Sequence, residues 1–177
     1  NKSEDDGSLI KDIKPGKASS NPAFLHNQRG KLYFSADNGK FGDEVWTSQG
    51  SNNSTKIFKD INKGRSSSSP SDFTSDKSLL YFSANGGKKG QELWMTNGKA
   101  KSTERLSDIN PGSKSSSPSD LLVFNQKLFF AADDGRNGRE LWRYSIKSDT
   151  FSMVRDIHSG YGLGSNPSQL TLLNNQI

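Results

Sequence analysis

Apolar positions along this chain come in short runs, four to a unit, separated by glycine, asparagine, aspartate and serine. The pattern recurs in a constant frame. Asp12-Ile13, Asp60-Ile61, Asp108-Ile109 and Asp156-Ile157 lie 48 residues apart. Gly16, Gly64, Gly112 and Gly160 keep that step, as do Phe34, Phe82 and Phe130, then Trp46, Trp94 and Trp142, and also Pro22, Pro70 and Pro118. A fixed period of this length is the signature of a repeat architecture.

Within the third unit the runs predict strand A over Asp120 to Phe124, strand B over Lys127 to Ala132, strand C over Glu140 to Tyr144 and strand D over Phe151 to Ile157. A short turn at Asn125-Gln126 joins A to B. Strand B is apolar on both faces: Leu128, Phe130 and Ala132 point one way, Phe129 and Ala131 the other. Leu32, Tyr33 and Phe34 and Leu80, Tyr81 and Phe82 repeat this, although Ser35 and Ser83 make one face more polar. A sheet with one wet face alternates with polar residues, so these strands predict sheets covered on both sides. Four-stranded antiparallel meanders stacked in this way are the blades of a β-propeller. The fold class read from the pattern is therefore all-β, with three full repeats and an orphan strand at each end.

The corresponding boundaries put the end of a preceding repeat at 1–10, repeats one to three at 11–58, 59–106 and 107–154, and the start of a fourth at 155–177. Residues 8–13 (SLIKDI) supply a strand D without the rest of its unit, and residues 168–176 (SQLTLLNNQ) a strand A. Head-to-tail pairing of two copies would leave the joint blade without its central strands. The chain reads as a segment of a larger propeller, and its start at Asn1 fits a processed or excised piece.

Composition narrows this picture. The 177 residues are 29% hydrophobic and 24% charged, with a mean hydropathy of -0.83, which suits a loop-rich domain with a modest core. Without cysteine, neither a disulfide framework nor a thiolate metal site is possible. No apolar run approaches the roughly 20 residues that span a bilayer, so no membrane insertion is expected. Net charge is +5. The B-to-C and D-to-A loops, which an up-and-down meander places at one end, hold ten basic residues and eight aspartates. That near balance offers no funnel for a polyanion, and no nucleic-acid partner is expected there.

The frames ADNGKFGDEVW (36–46), ANGGKKGQELW (84–94) and ADDGRNGRELW (132–142), the last preceded by KLFF, resemble the ELWxxDGT repeat of large secreted bacterial proteins. The Asp108-Ile109-Asn110-Pro111-Gly112 turn belongs to the same resemblance, which covers nearly the whole chain. It implies β-propeller-like repeats and an extracellular or cell-surface location. The terminal DGT departs from that family, being Gln49-Gly50-Ser51, Asn97-Gly98-Lys99 and Ser145-Ile146-Lys147, so that turn is assigned no function.

Each candidate for chemistry has a structural alternative. Asp37, Asp133 and Asp134 are calcium candidates, since calcium takes six to eight oxygens. Aspartate and glycine also build tight turns with the local backbone, which is the reading preferred here. Ser35-Ala36-Asp37-Asn38-Gly39 matches the S-x-D-x-G of sialidase-type aspartate boxes in one unit only and is read as the same turn. Glu44, Glu92 and Glu140 suggest a catalytic carboxylate pair, yet a residue present in every unit serves the unit, so bonds to backbone or basic groups between blades are expected. Trp46, Trp94 and Trp142 are read as inter-blade packing in preference to sugar platforms. His26 and His158 do not recur, and Gly160 to Gly164 reads as a flexible connection between blades.

Neither a catalytic residue nor a cofactor site is predicted, with calcium the one ion considered. Lys40, Lys88 and Arg136 vary at one position of the recurring loop and are the candidate ligand-face residues. The function expected is a non-enzymatic structural or binding module, presenting its loop face to a protein, a glycan or copies of itself. The alternatives are the scaffold portion of an extracellular hydrolase and a subunit of a filament or large assembly.

Overall fold

The computed structural model describes residues 7–174 and Ile177. Twelve strands form three antiparallel four-stranded sheets, each a simple meander. The first holds β1 (Ala23–Gln28), β2 (Lys31–Asp37), β3 (Asp43–Ser48) and β4 (Lys56–Lys59). The second holds β5 (Ser71–Ser75), β6 (Leu80–Asn85), β7 (Gln91–Thr96) and β8 (Glu104–Arg105). The third holds β9 (Ser119–Phe124), β10 (Lys127–Asp133), β11 (Arg139–Ser145) and β12 (Thr150–Arg155).

Central strands pair without a break: Phe34 faces Trp46, Phe82 faces Trp94 and Phe130 faces Trp142. The leading strand of each sheet carries an irregularity at one position, where Phe24, Asp72 and Asp120 take φ of 54°, 54° and 56°. A bulge there adds twist to the strand. Asn125 and Gln126, at φ 46° and 58°, make the two-residue turn that matches the twist of the strands it joins.

The sheets stack face to face, as the two-sided apolar strands predicted. Tyr33 and Val45 of the first sheet form one cluster with Leu80, Phe82 and Ala84 of the second. Tyr81 and Leu93 on the second sheet's other face join Leu128, Phe130, Ala132 and Tyr144 of the third. Ser35 and Ser83 are buried rather than wet. On the outward face of the first sheet Phe34, Ala36 and Trp46 make a smaller cluster, covered by Ile13.

Three expectations are corrected. Residues 8–13 form no strand, because among the described residues no neighbouring strand offers them a ladder; Ile13 packs on Phe34 and Trp46 instead. Residues 168–174 contain one isolated bridge at Leu173, and Asn175 and Gln176 lie outside the described residues. Strand D of the third unit stops at Arg155 and not at Ile157, whose N–H donates to a side chain rather than to the sheet. In the second unit the last strand shrinks to Glu104–Arg105 after a 3-10 turn at Ala100–Ser102.

Candidate functional site

The recurring motif folds into a turn followed by a buried carboxylate, and the turn is built first. Asp37, Asn85 and Asp133 each accept the N–H two residues on, from Gly39, Gly87 and Gly135, at 2.6, 2.8 and 2.7 Å. Asn38 and Asp134 each accept two further N–H groups, from Lys40 and Phe41 and from Arg136 and Asn137. Burial raises the Asp134 pKa, and the N–H groups of Asn137 and Arg136 with the Asn137 amide outweigh it, leaving the carboxyl below its ordinary value. The Asp37 carboxyl is held low by the Lys14 ammonium and the Gly39 N–H. The three calcium candidates are thus committed to local donors, and among the described residues no three His, Asp or Glu side chains are grouped as a metal would require.

The second glycine of the motif has a different task. Gly42, Gly90 and Gly138 all have φ near +70°. A Cβ on them would meet the backbone of the connection to the following unit: Ser66 at 2.9 Å, Lys114 at 2.3 Å and Gly164 at 2.6 Å. Only glycine combines that conformation with that approach. The B-to-C turn and the D-to-A connection are therefore pressed together at one end of the molecule, the neighbours that the meander topology predicted.

Glu44, Glu92 and Glu140 lie at this contact with no exposed surface. Glu44 accepts the N–H groups of Ile61, Asn62 and Ser68 and the Ser68 hydroxyl, the last at 2.7 Å. Glu92 accepts the N–H groups of Ile109 and Ser116 and the Ser116 hydroxyl. Glu140 accepts the same set from Ile157 and Ser165. Each carboxylate thus fastens its own sheet to the segment leading away from it, which for Glu44 and Glu92 enters the next sheet. The expected backbone partners are found, and no basic side chain takes part.

Burial dominates Glu44 and Glu92, whose pKa values are raised against the pull of their donors. At Glu140 burial also pushes upward, but the Ser165 hydroxyl and N–H with the Ile157 and His158 N–H groups prevail, and its pKa lies below the ordinary value.

The serine partner was missed in the sequence. Its signal was present, since Ser68, Ser116 and Ser165 each stand two residues before a proline, at Pro70, Pro118 and Pro167. Gly160 to Gly164 is not a loose connection either. Gly162 donates to the Arg136 carbonyl at 2.7 Å, and a Cβ on Gly164 would lie 2.4 Å from the Arg139 nitrogen.

Trp94 lies in the cluster between the first and second sheets and donates to the Ala84 carbonyl at 2.9 Å; Trp142 lies between the second and third. Trp46 packs on the outward face of the first sheet, where no further sheet lies among the described residues. His26 meets the Ser75 hydroxyl at 2.9 Å, and His158 is exposed. Lys40, Lys88 and Arg136 are exposed on three successive turns, with the Lys40 ammonium 5.1 Å from the Phe41 ring. Arg136 borders a shallow cavity with Asp134, Pro111 and Trp142.

No family model matches the chain, and no characterised protein matches it in sequence. Solved structures do share its arrangement. A variant of AtxE2 isopeptidase with a bound astexin matches 82% of this chain at a TM-score of 0.52 and 13% identity, over 22% of that enzyme. A prolyl endopeptidase matches 73% of the chain at 0.49 and 17% identity, over 19% of its length. The computationally designed Ika4 protein matches 88% at 0.47 and 16% identity, with 82% of its own length covered. The chain spans about a fifth of the two peptidases, and the likeness is one of fold alone.

Proposed function

We propose that the three sheets are blades of a larger β-propeller, in a secreted or surface-attached bacterial protein of the kind the ELWxxDGT resemblance implies. The module is structural and non-enzymatic, and it presents the end bearing the recurring turns to a protein or glycan partner. The observation that carries this reading is the use of the recurrent carboxylates. Glu44, Glu92 and Glu140 are each fully occupied by donors of an adjoining connection, so the repeated acidic chemistry serves cohesion. Each unit also carries an exposed cation on this turn, Lys40, Lys88 or Arg136, as befits a surface that binds by many small contacts.

A glycan array probed with the wild-type chain and with Lys40→Ala/Lys88→Ala/Arg136→Ala tests it. The substitution is expected to remove most of the signal without moving the melting point. Undiminished binding by the triple variant would sink the assignment of this face.

A further inference from the structure

The other end of the molecule carries the charge. Residues 29–31, 49–56, 76–79, 97–104, 125–127 and 146–150 make up the turns joining first to second and third to fourth strands. They hold eight lysines and arginines against three carboxylates, Asp76, Glu104 and Asp149. That excess equals the +5 of the whole chain, so the basic character is concentrated at the end away from the glutamates.

Between the first and second sheets this end opens into a cleft of about 260 Å³, whose walls carry Arg29, Lys31 and Lys99, the amides of Gln28 and Asn97, and Ser78. No carboxylate lines it. Among the described residues none of the three cations is in an ion pair. The nearby Asp76 is turned to its own hairpin, accepting the N–H groups of Ser78 and Leu79 and the Tyr81 hydroxyl. A site of this kind attracts an anion with nothing inside it to compete.

Two features separate the cleft from a by-product of the repeat. Arg29 opens the two-residue turn Arg29-Gly30 at φ 53°, a conformation that favours asparagine, aspartate or glycine. The third unit has Asn125 there. An arginine stands in the left-handed region, where the turn itself gains nothing from its side chain. The matching cleft between the second and third sheets is also different. It is wider, about 540 Å³, and its wall is apolar at Leu79, Val123 and Ile146.

We propose that the cleft between the first two sheets binds an anionic saccharide, the sulfate- or carboxylate-bearing unit of an acidic polysaccharide. Arg29, Lys31 and Lys99 meet the acidic group, and Gln28, Asn97 and Ser78 bond the hydroxyls beside it. Single-stranded nucleic acid is the poorer fit, because it uses open aromatic platforms. Tyr33, the one ring in the cleft, is 2% exposed and packed edge-on against Phe58. A lipid surface is also disfavoured, since none of the large exposed apolar side chains lines this cleft. This inference is separate from the loop-face reading, and either can fail while the other stands.

Calorimetric titration of the whole chain decides it, using a heparin-derived tetrasaccharide, a tetragalacturonate, neutral maltotetraose, an oligothymidylate and anionic phospholipid vesicles. Runs at about 50 and 200 mM salt separate the ionic part of binding. One or both acidic saccharides bind, more weakly at the higher salt, while maltotetraose does not; which of the two is tighter distinguishes sulfate from carboxylate recognition. Arg29→Ala/Lys31→Ala/Lys99→Ala weakens binding by about tenfold or more, and Lys40→Ala/Lys88→Ala/Arg136→Ala changes it less than about twofold. If the first variant melts early, Lys99→Gln, at an exposed position, still weakens binding several-fold. Equal losses in both triple variants, tighter binding of the oligothymidylate or vesicles, or no saccharide binding overturns the proposal.

Discussion

Gly90 and Gly50 both take positive φ, and the difference between them shows what the motif glycine does. A Cβ on Gly90 would lie 2.3 Å from the Lys114 carbonyl oxygen, whereas nothing lies within 4 Å of one on Gly50. Gly90→Ala is therefore expected to cost about 3 kcal/mol, strain plus displacement of a backbone segment, and Gly50→Ala about 1 kcal/mol, strain alone. Urea denaturation of the two variants checks this, and equal losses would remove the contact from the explanation. Removing the Glu92 side chain leaves the N–H groups of Ile109 and Ser116 and a hydroxyl without their acceptor in a buried place. Glu92→Ala should cost about 3 kcal/mol and Ser116→Ala, which keeps the N–H bond, about 1 kcal/mol. The glutamate could be read from the sequence as structural because it recurs in every unit. Its serine partner is harder to single out, because serine is abundant in the runs Ser66 to Ser69 and Ser115 to Ser117, and the proline two residues on is the one mark of the hydroxyl that turns inward.

At the scale of elements, the three carboxylates respond differently to acid. Glu140 has a depressed pKa in the folded chain, so its contribution is present above the ordinary value of 4.5 and is lost as pH falls through the depressed one. Glu44 and Glu92 have raised values, so the folded state holds their protons more tightly than the unfolded chain does. Protonation then favours folding, and their contribution diminishes as pH rises through the raised values. Hydrogen exchange below pH 4.5 is expected to release the amides of residues 157–165 before those of 61–68 and 109–116. Simultaneous release would refute the distinction. Strands β10 and β11 were legible to within a residue because alternation, two-sided burial and a short turn all agree there. The ends of the strands were less so: Ile157 looks like a strand residue by type, but its N–H is taken by Glu140. Residues 8–13 have the composition of a strand, yet a strand exists only where a partner does.

For the whole molecule, the order of the sheets and the two buried interfaces followed from a period and a two-sided apolar pattern. The concentration of charge at one end did not. The end with longer connections is near balance, ten cations against eight aspartates, and the excess sits in the short turns that share the opposite end. Stability should owe nothing to calcium, because Asp37, Asp133 and Asp134 each already accept at least one backbone N–H in holding their turns. Millimolar calcium and a chelator should give the same melting temperature by calorimetry; a rise with calcium would reassign those turns. The glutamate contact also has a genealogical consequence. Acceptor and serine stand 24 residues apart in the first two units and 25 in the third, where one extra residue is absorbed in the connection before Ser165. Unequal recombination that duplicates or deletes a whole unit restores every such pair. A break inside a unit leaves a buried carboxylate with no donors, so lineages of this chain are expected to grow and shrink in complete units.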